Sequence, residues 1–201
     1  AQNSSAMKKC STCGKVIELQ SAEDLKVHYC RGKVPVAFVL SAPGSEEGGA
    51  GMPVAGSKGT GANLEDCVRL LSEMRPDWFP GTCRYDYRIT NASSEVEFKA
   101  MTGRSEASLV EVRARIGEVV AELDGCRLVI LCGKRAQSLL AGLKSGISGV
   151  AFACACHPGV RGMTATYRGD PFRGLMNAKD RSSARIRTWV EDICRQLPLG
   201  E

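Results

Sequence analysis

The apolar run Phe38-Val39-Leu40 stops at Ser41-Ala42-Pro43-Gly44 and opens into a glycine-dense stretch, residues 45–61, which leads into an amphipathic segment. Clustered glycines alone would signal a linker. A buried strand on one side and a helix on the other instead describe a backbone cradle at the carboxyl end of a sheet, where open α/β folds bind ligands. Such a strand needs further strand–helix units to bury it on both faces.

The chain supplies them. Residues 36–41, 85–90, 127–132 and 150–156 have the short, continuous apolar character of buried strands. Between them lie helical patterns at 62–74, with Leu64, Val68 and Leu71 on one face, at 105–123 and at 134–143; residues 184–197 close the chain as a helix. Ser105 is the expected cap of the helix at 105–123, whose apolar stripe is Leu109, Val110, Val112, Ile116, Val119 and Val120. This alternation predicts an α/β fold, a three-layer α/β/α sandwich around a central parallel four-stranded sheet, over residues 34–201. A chain of 201 residues with 43% hydrophobic content fits one such domain and a small appendage, and excludes wholesale disorder.

Residues 7–33 are expected to be the appendage, and residues 1–6, ahead of Met7, a tag remnant outside the fold. Cys10-x2-Cys13-x14-His28-x-Cys30 places four metal-ligand side chains within 21 residues. Tetrahedral zinc favours such a set, and so short a segment cannot fold on an apolar core alone. Leu25 lies three residues before His28, on one helical face, as in a zinc finger. The expected ion is structural, because protein groups take all four positions; an iron–sulfur cluster is the alternative. Lys8, Lys9, Lys15, Lys26, Arg31 and Lys33 are candidate phosphate contacts, or simply a solvated basic surface. The other cysteines, such as Cys132, Cys154 and Cys156, are read as small buried hydrophobes in a reducing compartment.

Net charge is +5, from 27 basic and 22 acidic residues, which permits contact with phosphate without locating a patch. No apolar run approaches the roughly 20 residues of a membrane span. No secretory segment follows the start, so a cytoplasmic location is expected. Gly51-x4-Gly56 has P-loop glycine spacing, but Ser57 stands where the lysine is needed and Lys58 comes one place late.

Three strand tips carry the functional candidates: Ala42-Pro43-Gly44, Thr90-Asn91-Ala92 and His157-Pro158-Gly159. Asn91 can read the edge of a nucleobase with two donors and an acceptor. His157 can donate to an oxygen that gains charge as a bond breaks. With Gly51-Met52-Pro53-Val54-Ala55-Gly56, Ile89-Thr90-Asn91 and Leu131-Cys132-Gly133-Lys134-Arg135-Ala136-Gln137, these motifs, in this order over residues 36–160, resemble the uracil-DNA glycosylase superfamily, nearest its iron–sulfur bacterial branch.

The resemblance implies a monomeric bacterial DNA glycosylase that flips a nucleotide out of the duplex and hydrolyses its glycosidic bond, leaving an abasic site. Asn91 and the backbone of 42–44 would read the base, with Ser41 and Val54 completing its pocket, and His157 would stabilise the departing pyrimidine at O2. Residues 160–168 correspond to a duplex-wedging loop. Val160, Arg161 or Met163 would fill the vacated stack, while Arg161, Arg168, Arg173 and Lys58 would hold DNA.

The chain departs from the family pattern at three places. Ser41 replaces a glutamate of that branch and Ala42 an acidic or amide residue of others. That leaves Glu46 and Glu47 nearest in sequence to orient water, unless they are solvated loop charges. Val54 stands where an aromatic residue stacks on uracil, which widens the pocket. No cysteine lies between Asn91 and Gly125 to complete the iron–sulfur cluster, so zinc is favoured. A modified pyrimidine such as the glucosylated hydroxymethylcytosine of phage DNA, which anti-phage relatives excise, is therefore the expected base. Uracil excision in repair is the alternative, and a non-catalytic DNA-binding module the second.

Overall fold

The structure is a computed structural model and describes residues 4–10, 13–21, 29–97, 99, 103–104, 106–169, 174 and 177–198. Its centre is a run of four parallel strands: β4 (Val34–Leu40), β5 (Tyr87–Asn91), β6 (Leu128–Cys132) and β7 (Ala151–Ala155). They are ordered β5-β4-β6-β7. All five residues of β6 are buried, as a strand covered on both faces requires. Side chains alternate between two cores. Val36, Phe38, Leu40, Leu128 and Ile130 pack with Leu64, Val68 and Leu71 of α2 (Gly59–Met74) and with Ile186, Trp189 and Val190 of a closing helix, Ala178–Cys194. Ala37, Val39, Val129 and Leu131 face the other way, toward Val112, Val119, Ala136 and Leu143.

Among the described residues the sheet has seven strands, the four parallel ones and three more. β1 (Ser4–Lys9), β2 (Val16–Ser21) and β3 (Tyr29–Cys30) add an antiparallel extension beyond β5, joined to it at Cys30 and Ile89. The segment expected as a finger-like module thus belongs to the same sheet, and its helix expected before His28 lies outside the described residues. Residues 4–6, set aside above as a remnant, pair with 19–21. The extension has an apolar inner face of its own, since Ile17, Leu19 and Cys30 are buried in the first core.

Five helical regions differ from expectation. The glycine-dense stretch contains a short one, α1 (Ser45–Ala50), ahead of α2. The helix expected over 105–123 divides at Arg115 into α3 (Leu109–Ala114) and α4 (Ile116–Glu122). Its cap is Ser108, in a capping box with Glu111, while Ser105 lies outside the described residues. Starting there, α3 turns Val112 to the sheet and leaves Leu109 and Val110 exposed. The segment at 134–143 likewise splits into α5 (Lys134–Gln137) and α6 (Leu140–Gly146).

Residues 160–166 form helix α7 (Val160–Thr166) rather than a loop, and the closing helix α8 (Ala178–Cys194) starts earlier than expected, capped by Asn177. Beyond α8, Gln196 pairs with the outer strand: its Oε1 accepts from Cys154 N–H at 2.8 Å and its Nε2 donates to Cys154 C=O at 2.9 Å.

Candidate active site

In the order β5-β4-β6-β7 the chain steps from β4 to one side and then returns to the other, so the crevice between β4 and β6 is the topological switch point. A cavity of about 450 Å³ opens at the carboxyl ends of these strands. Leu40, Ser41, Ala42 and Gly44 enter it after β4, Gly133 and Lys134 after β6, and His157 after β7. The amino-terminal turn of α2 adds Gly59 and Thr60, and α7 adds Val160 and Arg161. Among the described residues, none of those lining the cavity is Phe, Tyr or Trp.

His157 is the most constrained of these groups. Its turn is held from both sides, because Asn63 of α2 donates to the carbonyl of Pro158 at 2.7 Å and Trp189 of α8 to that of Cys156 at 2.8 Å. Glycines surround it closely: a Cβ on Gly133, at φ +92°, would sit 3.2 Å from the His157 Cβ, and one on Gly162 only 2.3 Å from the His157 carbonyl oxygen. The Gly159 N–H donates to His157 Nδ1 at 3.0 Å. An accepting Nδ1 assigns the proton to Nε2. Burial lowers the pKa of this imidazole below its usual value, against a smaller opposing pull from Glu106. The ring is therefore a neutral Nε2–H donor.

Glu47 lines the cavity as well, but its carboxylate is engaged in holding the loop. It accepts from the backbone N–H groups of Gly44 and Val54, at opposite ends of the turn that α1 begins. Burial pushes its pKa up, and the two N–H groups act the other way. Glu46 is exposed, sits against Gly56 and does not line the cavity. Glu47→Gln should destabilise the fold by about 1–3 kcal/mol, the cost of setting an amide donor against a buried N–H, and denaturant unfolding will measure it.

Val54 is not a pocket wall. It is buried in the core at φ 53°, an unusual backbone conformation for a β-branched residue, so a wider pocket cannot be ascribed to its side chain. Met163 is no wedge either. It is 2% exposed and packs in the same core, with Asn63 nearby, because α7 turns that face inward. Val160, Arg161 and Arg168 are exposed, as is Lys58 at the start of α2, and Arg173 lies outside the described residues.

Asn91 stands at the same end of the sheet but in a separate cavity of about 10 Å³, with Tyr29, Pro43, Thr90, Ser93, Ser94 and Arg115. The 41–44 turn divides the two spaces: Ser41, Ala42 and Gly44 line the large one, Pro43 the small one. Arg115, buried beneath, donates to the carbonyl of Asn91 and to Glu122, which also accepts from Thr90. The Oδ1 of Asn91 and the Oγ of Ser41 are buried without a hydrogen-bond partner among the described residues. Orphaned polar atoms of this kind need a water or a ligand.

Sequence reasoning missed Glu97, Glu106 and Lys134 in the cavity. Lys134 sits inside the motif that ends at Gln137. Glu97 and Glu106 carry no local signal, and are recognisable only from their ion pairs with Arg104 at 2.7 Å and Arg135 at 3.4 Å.

The expected metal set is also revised. Cys10, Cys13 and Cys83 place their sulfurs within 4.8 Å of one another and could hold a metal ion. Cys30 is outside this group, its thiol directed at the carbonyl of Tyr85 at 3.7 Å, and His28 lies outside the described residues. Cys83 was not foreseen because it lies 70 residues from Cys13 along the chain. Neither family models nor curated proteins give a match to this chain.

Proposed function

We propose that the chain is a monofunctional DNA glycosylase of the uracil-DNA glycosylase type, acting on a modified pyrimidine. The observation that carries this reading is the imidazole of His157, locked by the Gly159 N–H as a neutral Nε2–H donor in a cleft at the switch point of the sheet. Glycosidic cleavage leaves negative charge on the departing base, and a fixed donor stabilises that charge without reorganising. A neutral donor suits a leaving pyrimidine better than an imidazolium that would first have to be created in a buried site.

The backbone of 42–44 and the unpartnered Ser41 hydroxyl supply contacts to an everted base. Asn91 joins them if the 42–44 turn yields, since only Pro43 of that turn lines its cavity now. The exposed Arg161 and Lys134, with the amino-terminal turn of α2, suit the flanking phosphates. Val160, 63% exposed at the rim, is the better wedge than Met163.

A bulky base is favoured over uracil by the open, non-aromatic lining, and by a second cavity of about 720 Å³ that shares Glu106, Gly133, Lys134, His157 and Gly162 with the first. The three-layer glycosylase-like architecture is the fold we assign to the parallel core. We assign the Cys10–Cys13–Cys83 group a structural zinc ion. Three sulfurs this close suit one ion, whose tetrahedral ligands sit about 3.8 Å apart, better than a cluster spread over several irons.

The test is base release from duplex and single-stranded DNA carrying glucosylated hydroxymethylcytosine or uracil. Alkali-dependent cleavage at the glucosylated base, with no nick before alkali, is the expected result. Release of uracil alone would replace the modified base by uracil. DNA binding with no release from either substrate would leave the binding-module reading.

A further inference from the structure

We infer that the ion held by Cys10, Cys13 and Cys83 sets the wall of the cleft, acting through the two residues that follow Cys83. The inference rests on the zinc reading above and extends it from the sheet extension to the pocket. Cys83 starts a 3-10 turn, Arg84–Asp86, directly before β5. Arg84, 1% exposed, runs from there into the glycine-dense loop: its Nη1 donates to Gly61 C=O at 3.2 Å and its Nη2 to Gly56 C=O at 3.1 Å. Glu65 of α2 fixes the same residue, accepting from its backbone N–H at 3.1 Å and pairing with its guanidinium at 3.3 Å. The hydroxyl of the next residue, Tyr85, donates to the carbonyls of Pro53 and Val54 at 3.0 and 3.2 Å.

Consecutive residues thus join the thiol group to both halves of the loop. Val54 is the point of greatest consequence. It holds a left-handed backbone conformation that an unsupported loop would abandon, and its N–H is the one that Glu47 accepts at the cleft. Supports converge on the turn from the sheet extension as well. Lys15 pairs with Asp86 at 2.7 Å, and Asp86 accepts from the Cys83 N–H at 3.0 Å; Lys8 donates to the carbonyl of Ala50 at the end of α1. Without the ion, Cys13 and Cys83 meet as two thiols 2.9 Å apart, and the turn that carries Arg84 loses its tie to the cysteine group and rests on the contacts of Glu65 and Asp86.

Zinc content by mass spectrometry and amide hydrogen exchange on the full chain test this, neither involving base release. Wild type should bind one zinc per chain, Cys83→Ser none, and Cys30→Ala one. In Cys83→Ser and in chelated wild type, the amides of residues 52–61 should exchange about tenfold faster, while those of 128–132 stay unchanged. Arg84→Lys, which keeps the charge but loses the fork, should loosen 52–61 with zinc still bound. Should Cys83→Ser fail to fold, chelated wild type and Arg84→Lys carry the same test.

Equal protection of 52–61 with and without zinc, or an inert Arg84→Lys, overturns the coupling and leaves the zinc reading standing. A zinc-free wild type with a Cys13–Cys83 disulfide, or loss of zinc in Cys30→Ala, overturns the metal assignment and the inference with it. The glycosylase reading is untouched by either result.

Discussion

Replacing His157 by alanine is expected to slow base release by about 10²–10³-fold, the usual loss for one fixed donor to a developing oxyanion. DNA affinity should stay nearly unchanged, because the exposed cations that suit phosphates lie elsewhere. Single-turnover release, with binding measured separately by anisotropy, makes the comparison. A variant as fast as wild type would remove the central support of the proposed function. The pH dependence supplies a second reading of the same residue.

Protonating Nδ1 would set an N–H against the N–H of Gly159, so the ring loses its lock in acid. Burial lowers the folded value, which puts the acid limb of the rate profile below the ordinary histidine pKa of about 6.5. Stability moves in the same direction. As pH falls below that ordinary value the unfolded chain takes up a proton that the folded chain refuses. The contribution is present above the unfolded value and is lost by the time pH has fallen through the folded one.

Arg115→Met should cost about 3–5 kcal/mol, the usual result of leaving one partner of a buried ion pair alone. For a domain of this size that is a fall in melting temperature of roughly 6–20 °C. Arg115 and Glu122 are 7% and 8% exposed, and the guanidinium also carries the Asn91 carbonyl, so loss of the arginine reaches the small cavity as well. The double variant Arg115→Met/Glu122→Met should recover most of the stability, since no buried charge then lacks a partner.

Burial already pushes the Glu122 carboxyl upward, with Arg115 pulling it back. Removing the arginine raises it further. A raised folded value favours the folded state below the unfolded pKa and loses that benefit as pH rises through the folded one. The single variant should therefore recover part of its stability in mild acid. Thermal melts of both variants between neutral pH and about pH 5 will show whether it does. Equal deficits at every pH would mean that Glu122 is not the group left uncompensated.

The parallel core was legible because its strands are short apolar runs separated by helical periodicity, and burial on both faces leaves little ambiguity in such a pattern. Residues 128–132 show this best. The antiparallel extension was hidden by its composition: Lys8, Lys9 and Glu18 interrupt the apolar pattern, and the cysteine spacing drew the reading toward a finger. Cys83 could not be found, because a cysteine group assembled across a fold has no spacing rule.

Met163 misled for a related reason. Its neighbours Val160 and Arg161 do face out, and only the helical phase of α7 turns Met163 in. The histidine turn was found from its position after a strand. The Gly159 contact that selects its tautomer depends on a backbone geometry that the letters His-Pro-Gly permit without specifying.

The carboxamide of Gln196 offers the outer strand the donor and acceptor that a neighbouring strand would otherwise bring. That one capped residue, Cys154, hinders lateral stacking along the margin, the route by which bare sheet edges recruit foreign chains and aggregate. Among the described residues the opposite border is Ser4–Lys9, where the exposed charge of Lys9 discourages an approaching strand.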